Sequence, residues 1–210
     1  MKILVGFEES QTITIELRKL GHIAYSCDIK TCSGGHPEWH YQCDIYKLLS
    51  LKYKWDMFIF HPECTKVCVS GNGTYAKGKP KYNERIYDAN WIEKLWFNCI
   101  KICDKVCFEN PVGVLTTMTN LPKPQYIQPY QFGHMETKKT ALFLHGLPKL
   151  KETNNVKYEM DKLPIKEKHK IWYASPGKNR SELRSKTFLG IAKAMATQWT
   201  QSDITEPKLF

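Results

Sequence analysis

Two apolar runs in this chain end in the same way, and each delivers a chemically useful side chain at its end. The run DMFIFHPECTK, residues 56–66, reaches Pro62 and two residues later Cys64. The run KVCFENPVG, residues 105–113, reaches Glu109 and Asn110 just before Pro111. If both runs are strands of an open α/β sheet, their ends lie at the mouth of a cleft, where such sheets bind ligands. A thiol at one strand end and a carboxyl group at the next suit covalent chemistry on a ring that must also be protonated. The alternative for Cys64 is a buried structural cysteine, the usual fate of that residue type.

The elements that would position these groups can be read along the chain. KILVGF (2–7), HIAYSCDI (22–29), DMFIF (56–60) and KVCFE (105–109) are short apolar runs and read as strands, and ALFLHG (141–146) reads as a late one. Ser10 or Thr12 can cap a helix that runs to about Leu20 and stops at Gly21. RIYDANWIEKLWFNCIKIC (85–103) carries an apolar stripe at helical spacing, and TFLGIAKAMATQW (187–199) reads as a closing amphipathic helix. Strands alternating with helices predict a mainly parallel, doubly wound α/β sheet flanked by helices. Residues 70–84, rich in Gly and Lys, read as a mobile basic loop, and residues 148–170 show little periodicity. The whole chain, 1–210, is read as one domain.

Composition narrows the classes. The chain has 210 residues, 42% of them apolar, enough for one domain with a real core. No stretch approaches the roughly 20 apolar residues that span a bilayer, and the first residues lack a signal-peptide pattern, so a soluble, intracellular (cytoplasmic) protein is expected. The formal net charge of +10, from 31 Lys plus Arg against 21 Asp plus Glu, favours a polyanionic partner. Lysine-rich surfaces serve solubility as well. Without a secretion signal the eight cysteines are expected to be reduced. Cys99 and Cys103 are expected on the buried face of one helix, with Cys107 in the next strand.

Four further motifs could carry chemistry. VGFEES (5–10) follows the first strand, and Gly6 lets the backbone approach a ligand there. A single glycine is not a dinucleotide fingerprint, and a plain strand-to-helix turn fits as well. Asp28 ends the second strand about 20 residues later, where a carboxylate commonly binds ribose hydroxyls; a surface aspartate is the alternative. Asp44 is a parallel candidate for the adenine side. Cys32, His36, His40 and Cys43 are the right types for zinc. Their spacing matches no compact finger, and Cys43 is expected to precede a strand, so no metal is assigned. Last comes a basic-aromatic series of Tyr126, Tyr130, Phe132, Lys138, Lys139, Arg180, Arg184 and Lys186, on which bases could stack while cations hold phosphates.

In order, these motifs resemble the cytosine-5 DNA methyltransferases. VGFEES looks like their first cofactor loop, HPECT (61–65) like the Pro-Cys nucleophile motif, FENPVG (108–113) like the Glu-Asn motif, and RSKTFLGIAKAMATQW (184–199) like the closing segment. HPECT, ENPVG, IQPYQFGHMETKKT (127–140) and SELRSKTFLGIAKAMA (181–196) are more narrowly similar to short, phage-type members. The resemblance spans the chain except residues 70–85 and 148–170. It implies S-adenosyl-L-methionine as cofactor, held by Gly6, Phe7, Glu8, Asp28, Asp44, His61 and Pro62. It implies Cys64 as nucleophile and Glu109 as partner of the base N3. Asn110, Pro111, Lys138, Lys139, Arg180 and Arg184 would hold DNA or a pyrimidine nucleotide.

Three departures bear on that expectation. Glu63 stands where the family has a second proline, and a carboxylate there would raise the thiol pKa. The family's arginine motif has no clear match, Lys138 and Lys139 being nearest. Residues 148–178 leave room only for a short recognition stub. Two other classes therefore stay open: an enzyme that modifies free pyrimidine nucleotides, and a non-catalytic nucleotide or nucleic-acid binding protein that keeps the pocket.

Overall fold

The computed structural model describes residues 1–51, 53–173 and 187–201. Its centre is a seven-stranded sheet in the order β3-β2-β1-β4-β5-β7-β6. The strands are β1 (Lys2–Gly6), β2 (Ile23–Asp28), β3 (His40–Gln42), β4 (Met57–Phe60), β5 (Val106–Pro111), β6 (Gln125–Ile127) and β7 (Thr140–His145). The first five run parallel, and β7 runs antiparallel to both β5 and β6. The chain steps outward from β1 to β3, then returns across to β4, so the order reverses between β1 and β4. In open α/β sheets that reversal opens the crevice that ligands use.

Alternation along each strand sends side chains to two separate cores. Ile3, Val5, Met57, Ile59, Cys107 and Leu142 face one layer, packed with Ile13 and Leu17 and with Ile191, Ala192, Met195 and Trp199. Leu4, Phe58, Phe60, Phe108 and Phe143 face the other, packed with Ala89, Ile92, Leu95, Trp96 and Cys99. The first layer is built by α1 (Thr12–Lys19) and the last described helix. The second layer holds α2 (Ile45–Leu49) and the long α4 (Tyr82–Ile102). Burial on both faces explains why β1 and β4 read as unbroken apolar runs. The expected architecture, a mainly parallel Rossmann-like sheet flanked by helices, is the one observed.

Several local expectations are corrected. Neither Ser10 nor Thr12 caps α1: Gln11 is its N-cap, in a left-handed conformation with φ 56°, and makes no side-chain cap. Cys43 follows β3 rather than preceding a strand, and Asp44 caps α2, its carboxylate accepting from Tyr46 N at 2.8 Å. Cys103 is the residue just past α4, not within it, though it is buried as expected. Residues 70–84 include the helical turn α3 (Asn72–Tyr75) and the start of α4. Arg85 of α4 ties this segment down, donating to Lys66 O (2.6 Å), Cys68 O (3.2 Å) and the Asn72 side chain (2.8 Å).

After β5 comes α5 (Leu115–Met118), and beyond β7 lie α6 (Lys157–Asp161), α7 (Ile165–Lys168), α8 (Lys170–Tyr173) and finally α9 (Leu189–Thr200). The stretch that enters α6 is laced to the sheet edge and to α9: Leu150 exchanges two hydrogen bonds with the Gln125 side chain of β6, and Trp199 Nε1 of α9 donates to Pro148 O at 3.0 Å. Among the described residues no helix is long and apolar enough to cross a membrane.

Candidate active site

Cys64, Glu109 and Asn110 do converge, because β4 and β5 are parallel neighbours with Phe60 opposite Phe108. The next residues on each strand therefore meet in turn. His61 reaches Glu109, with Nδ1 3.0 Å from Oε2, both side chains mostly buried. Asn110, 1% exposed, donates from Nδ2 to Pro62 O at 3.0 Å. That bond clasps the turn carrying Cys64 onto the end of β5.

The carboxyl group of Glu109 is held below the ordinary carboxylate range. Burial pushes it up, but the hydrogen bond and charge of His61, then Lys138 and Thr140, outweigh that push. An ionised carboxylate only accepts, so the shared proton sits on His61 Nδ1. His61 Nε2 and Asn110 Oδ1 are both buried without a partner among the described residues.

The thiol of Cys64 is pushed far up from its usual value. Its hydrogen bond to Cys68 contributes most, followed by burial, with the charges of Cys68, Glu63 and Glu109 adding. Cys68 moves the opposite way: the bond from Cys64, a Ser70 hydroxyl 3.0 Å from its sulfur and backbone N–H groups favour its thiolate against burial. The contact between the two sulfurs disfavours the Cys64 thiolate and favours that of Cys68. Glu63 raises the Cys64 pKa as the sequence suggests, but ranks behind Cys68 and burial. Burial pulls the Glu63 carboxyl up, and bonds from Thr65 bring it down overall.

On the cofactor side, the residues gather at the β1 and β2 ends, yet several have local duties. A Cβ on Gly6 would lie 2.7 Å from the Phe60 ring, so aromatic packing accounts for the glycine. Phe7 adopts φ 60° and sets its ring edge-on to Phe60 and Trp91. A non-glycine residue in this region is strained, and such strain clusters at ligand sites. Glu8, 4% exposed, supplies the missing cap of α1: its carboxylate accepts from Ile13 N (2.6 Å), Thr14 N (3.3 Å) and Thr14 Oγ1 (2.7 Å). Burial raises its pKa, countered in part by His61 and these bonds. Asp28, half-buried at the β2 tip, accepts from Lys30 N at 2.9 Å. His61, expected on the cofactor, has its ring on Glu109.

Elsewhere the expected groups divide. Lys139 sits 4.5 Å over the exposed ring of Tyr126, whereas Phe132 is 3% exposed and belongs to the core, not to a stacking surface. Arg180, Arg184 and Lys186 lie outside the described residues. Of the residues weighed for zinc, His40 bonds Ser26 Oγ and Lys30 O, while His36 bonds Glu38 and stacks on Trp39 at 3.8 Å. Among the described residues no group of three or more His, Cys, Asp or Glu is arranged to hold a metal. Two functional candidates escaped the motif reading: the His61–Glu109 pair and Cys68. The signal for Cys68 was its i, i+4 spacing from Cys64, which the Cys68 N to Cys64 O bond (2.9 Å) makes a single turn.

No family model matches this chain, and no curated protein does. Among solved structures, it resembles a presumed DNA modification methyltransferase encoded within an E. coli prophage, with a TM-score of 0.42 at 12% identity. That match covers 68% of this chain, which spans 45% of the other.

Proposed function

We propose that the protein is an S-adenosyl-L-methionine-dependent methyltransferase acting on C5 of cytosine in DNA through a covalent Cys64 adduct. The observation that carries this reading is the clasp of Asn110 on Pro62, which holds the turn carrying Cys64 against the end of β5 that carries Glu109, one strand over from the order reversal between β1 and β4. The residues at the β1 and β2 ends fit the cofactor. A strained turn at Phe7 faces the crevice end, and the half-exposed Asp28 carboxylate can accept ribose hydroxyls. Asp44 is exposed beside it, one oxygen engaged with Tyr46 N. The cofactor supplies an electrophilic methyl group.

The chain's own groups do the rest. Cys64 passes its proton to the Glu109 carboxylate and its sulfur bonds to C6 of the ring. Glu109, now protonated, delivers that proton to N3, where the electron pair collects, and Asn110 holds the base. After methyl transfer to C5 the N3 proton returns to Glu109, and loss of the C5 proton to solvent expels the thiolate and restores the ring. In duplex DNA the base must first leave the stack. The positive net charge and the exposed Lys77, Lys79, Lys81 and Lys139 suit phosphate contacts.

One observation favours a second reading. The surroundings of Cys64, Cys68 and burial above all, disfavour its thiolate, as a binding protein that keeps only the pocket would tolerate. Mass spectrometry of DNA and of free nucleotides after incubation with isotopically labelled S-adenosylmethionine decides among the readings. Label at C5 of cytosine in DNA is expected. Label only in free nucleotides selects a nucleotide enzyme. Cofactor binding with no label anywhere selects the binding protein.

A further inference from the structure

Cys64 and Cys68 stand at the two ends of one pinned turn. Cys68 N donates to Cys64 O at 2.9 Å, and Val67 N donates to the same carbonyl at 3.1 Å. One such turn separates the two Cα atoms by about 6 Å, inside the range that a disulfide spans. The two sulfurs lie within hydrogen-bonding contact of each other. Bonds from outside hold the turn as well. Asn110 donates to Pro62 O, Val114 N to Val67 O at 2.8 Å, Val69 N to Val112 O at 3.0 Å, and Arg85 to Lys66 O and Cys68 O. Both thiols are free, Cys68 being 5% exposed and Cys64 half-buried. The contact with Cys64, then the Ser70 hydroxyl and the Gly71 and Ser70 N–H groups, favours a thiolate at Cys68 against its burial. Cys27 and Cys43 also meet, but burial, the largest influence on Cys27, disfavours its thiolate.

We propose that Cys64 and Cys68 are a redox pair, a site of reversible oxidation by peroxides in which a disulfide across the turn takes the Cys64 sulfur out of use. The loss of activity rests on the covalent reading above; the bond itself does not. The Cys68 thiolate attacks one peroxide oxygen, the O–O bond breaks and hydroxide leaves, giving a sulfenic acid. The Cys64 sulfur then attacks the sulfenic sulfur, the S–O bond breaks, and the departing hydroxyl takes the Cys64 proton and leaves as water. Each sulfur gives up one electron, and the two peroxide oxygens gain them. A sulfur tied in a disulfide is no longer the thiolate that adds to C6. The bridge closes a single turn, so it restrains little of the unfolded chain and acts as a switch rather than a staple. Reduction by a thiol restores both groups, and the bridged Cys64 is spared the irreversible sulfinic acid.

Lys66 lies between the two cysteines and makes the bond readable. Trypsin cuts after Lys54, Lys66 and Lys77, which leaves Cys64 alone on 55–66 and Cys68 alone on 67–77. The full-length protein is treated with hydrogen peroxide, and the remaining thiols are blocked with iodoacetamide in denaturant. The digest is then weighed by mass spectrometry with and without dithiothreitol. In wild type, 55–66 linked to 67–77 is expected as the main oxidised form of these peptides, separating on reduction. In Cys68→Ala the link is absent and Cys64 is expected to run on to sulfinic acid. Labelled-methyl transfer by oxidised wild type is expected to fall about tenfold or more and to recover with dithiothreitol, whereas oxidised Cys68→Ala does not recover.

Cys64 and Cys68 left unlinked in oxidised wild type, or linked to other cysteines, overturn the inference. So does a loss of transfer that dithiothreitol fails to reverse. These readouts come from wild type and stand whether or not Cys68→Ala folds. A linked pair in a protein that transfers no methyl group even when reduced leaves the redox pair standing and sinks the methyl-transfer reading. Methyl transfer by the reduced protein with no link after peroxide does the reverse. Undiminished transfer by fully linked protein overturns the switch and the covalent route together.

Discussion

Glu8 offers the sharpest test of the site's construction, because the motif reading assigns it to the cofactor and the structure gives it to α1. In Glu8→Ala, Ile13 N and Thr14 N lose their acceptor at a place where both residues are fully buried. An orphaned buried donor costs about 1–3 kcal/mol, and loss of a helix cap about 0.5–2 kcal/mol. The 3.3 Å bond to Thr14 N is the weaker of the two, and removing a buried carboxyl whose pKa is already raised returns part of the loss. The net effect is roughly 2–4 kcal/mol of destabilisation. For a chain of this size that lowers Tm by about 4–16 °C. Glutamine can still accept with Oε1 and, by reversing the bond, donate to Thr14 Oγ1, so Glu8→Gln should stay within about 1 kcal/mol of wild type. The pH dependence separates them further. Because the folded pKa of Glu8 is raised above 4.5, the folded state binds the proton more tightly. Its contribution is fully present below 4.5 and is lost as pH rises through the folded value. Glu8→Gln should lack that decline. Thermal and urea unfolding across pH measures all three effects. A Glu8→Ala protein melting within about 1 °C of wild type would refute the capping argument. So would Glu8→Gln that melts normally but no longer binds S-adenosylmethionine, which would return Glu8 to the cofactor.

Cys64→Ser is expected to abolish methyl transfer while leaving cofactor affinity intact, since serine is far less nucleophilic at neutral pH; unchanged turnover in a labelled-methyl assay would eliminate the covalent route. Cys68→Ala removes the group that most raises the Cys64 pKa, so Cys64 should alkylate faster with iodoacetamide at neutral pH, and a rate equal to or below wild type contradicts the pairing. The Glu109 carboxyl lies below 4.5 in the folded protein, so its contribution is present above 4.5 and drains as pH falls through the folded value; Glu109→Gln should flatten this acid-side loss in urea midpoints, and an unaltered slope argues against it. DNA affinity should fall steeply with salt if the net charge of +10 meets phosphates, and a log–log slope near zero removes phosphate contacts as its source.

The strands could be read from the chain because their information is local. β1, β4 and β5 are short apolar runs closed by Gly or Pro, and the stripe of Arg85, Ala89, Ile92, Trp96 and Cys99 repeats at the helical period. The same locality explains the misses. β6 and β3 are only three residues long, too short for periodicity to register. The sheet order and the reversed β7 come from pairings between distant segments, which no window of sequence contains. For the site, the chain alone pointed to Cys64 and Glu109 through residue type and proline punctuation. Only the packed sheet decided what each group touches. It joined His61 to Glu109 and Asn110 to Pro62 across 48 residues, set the Glu8 carboxylate on the end of α1, and put Cys68 one turn from Cys64. A side chain's role depends on what lies within about 3 Å of it, and in a parallel sheet that neighbour is supplied by another strand.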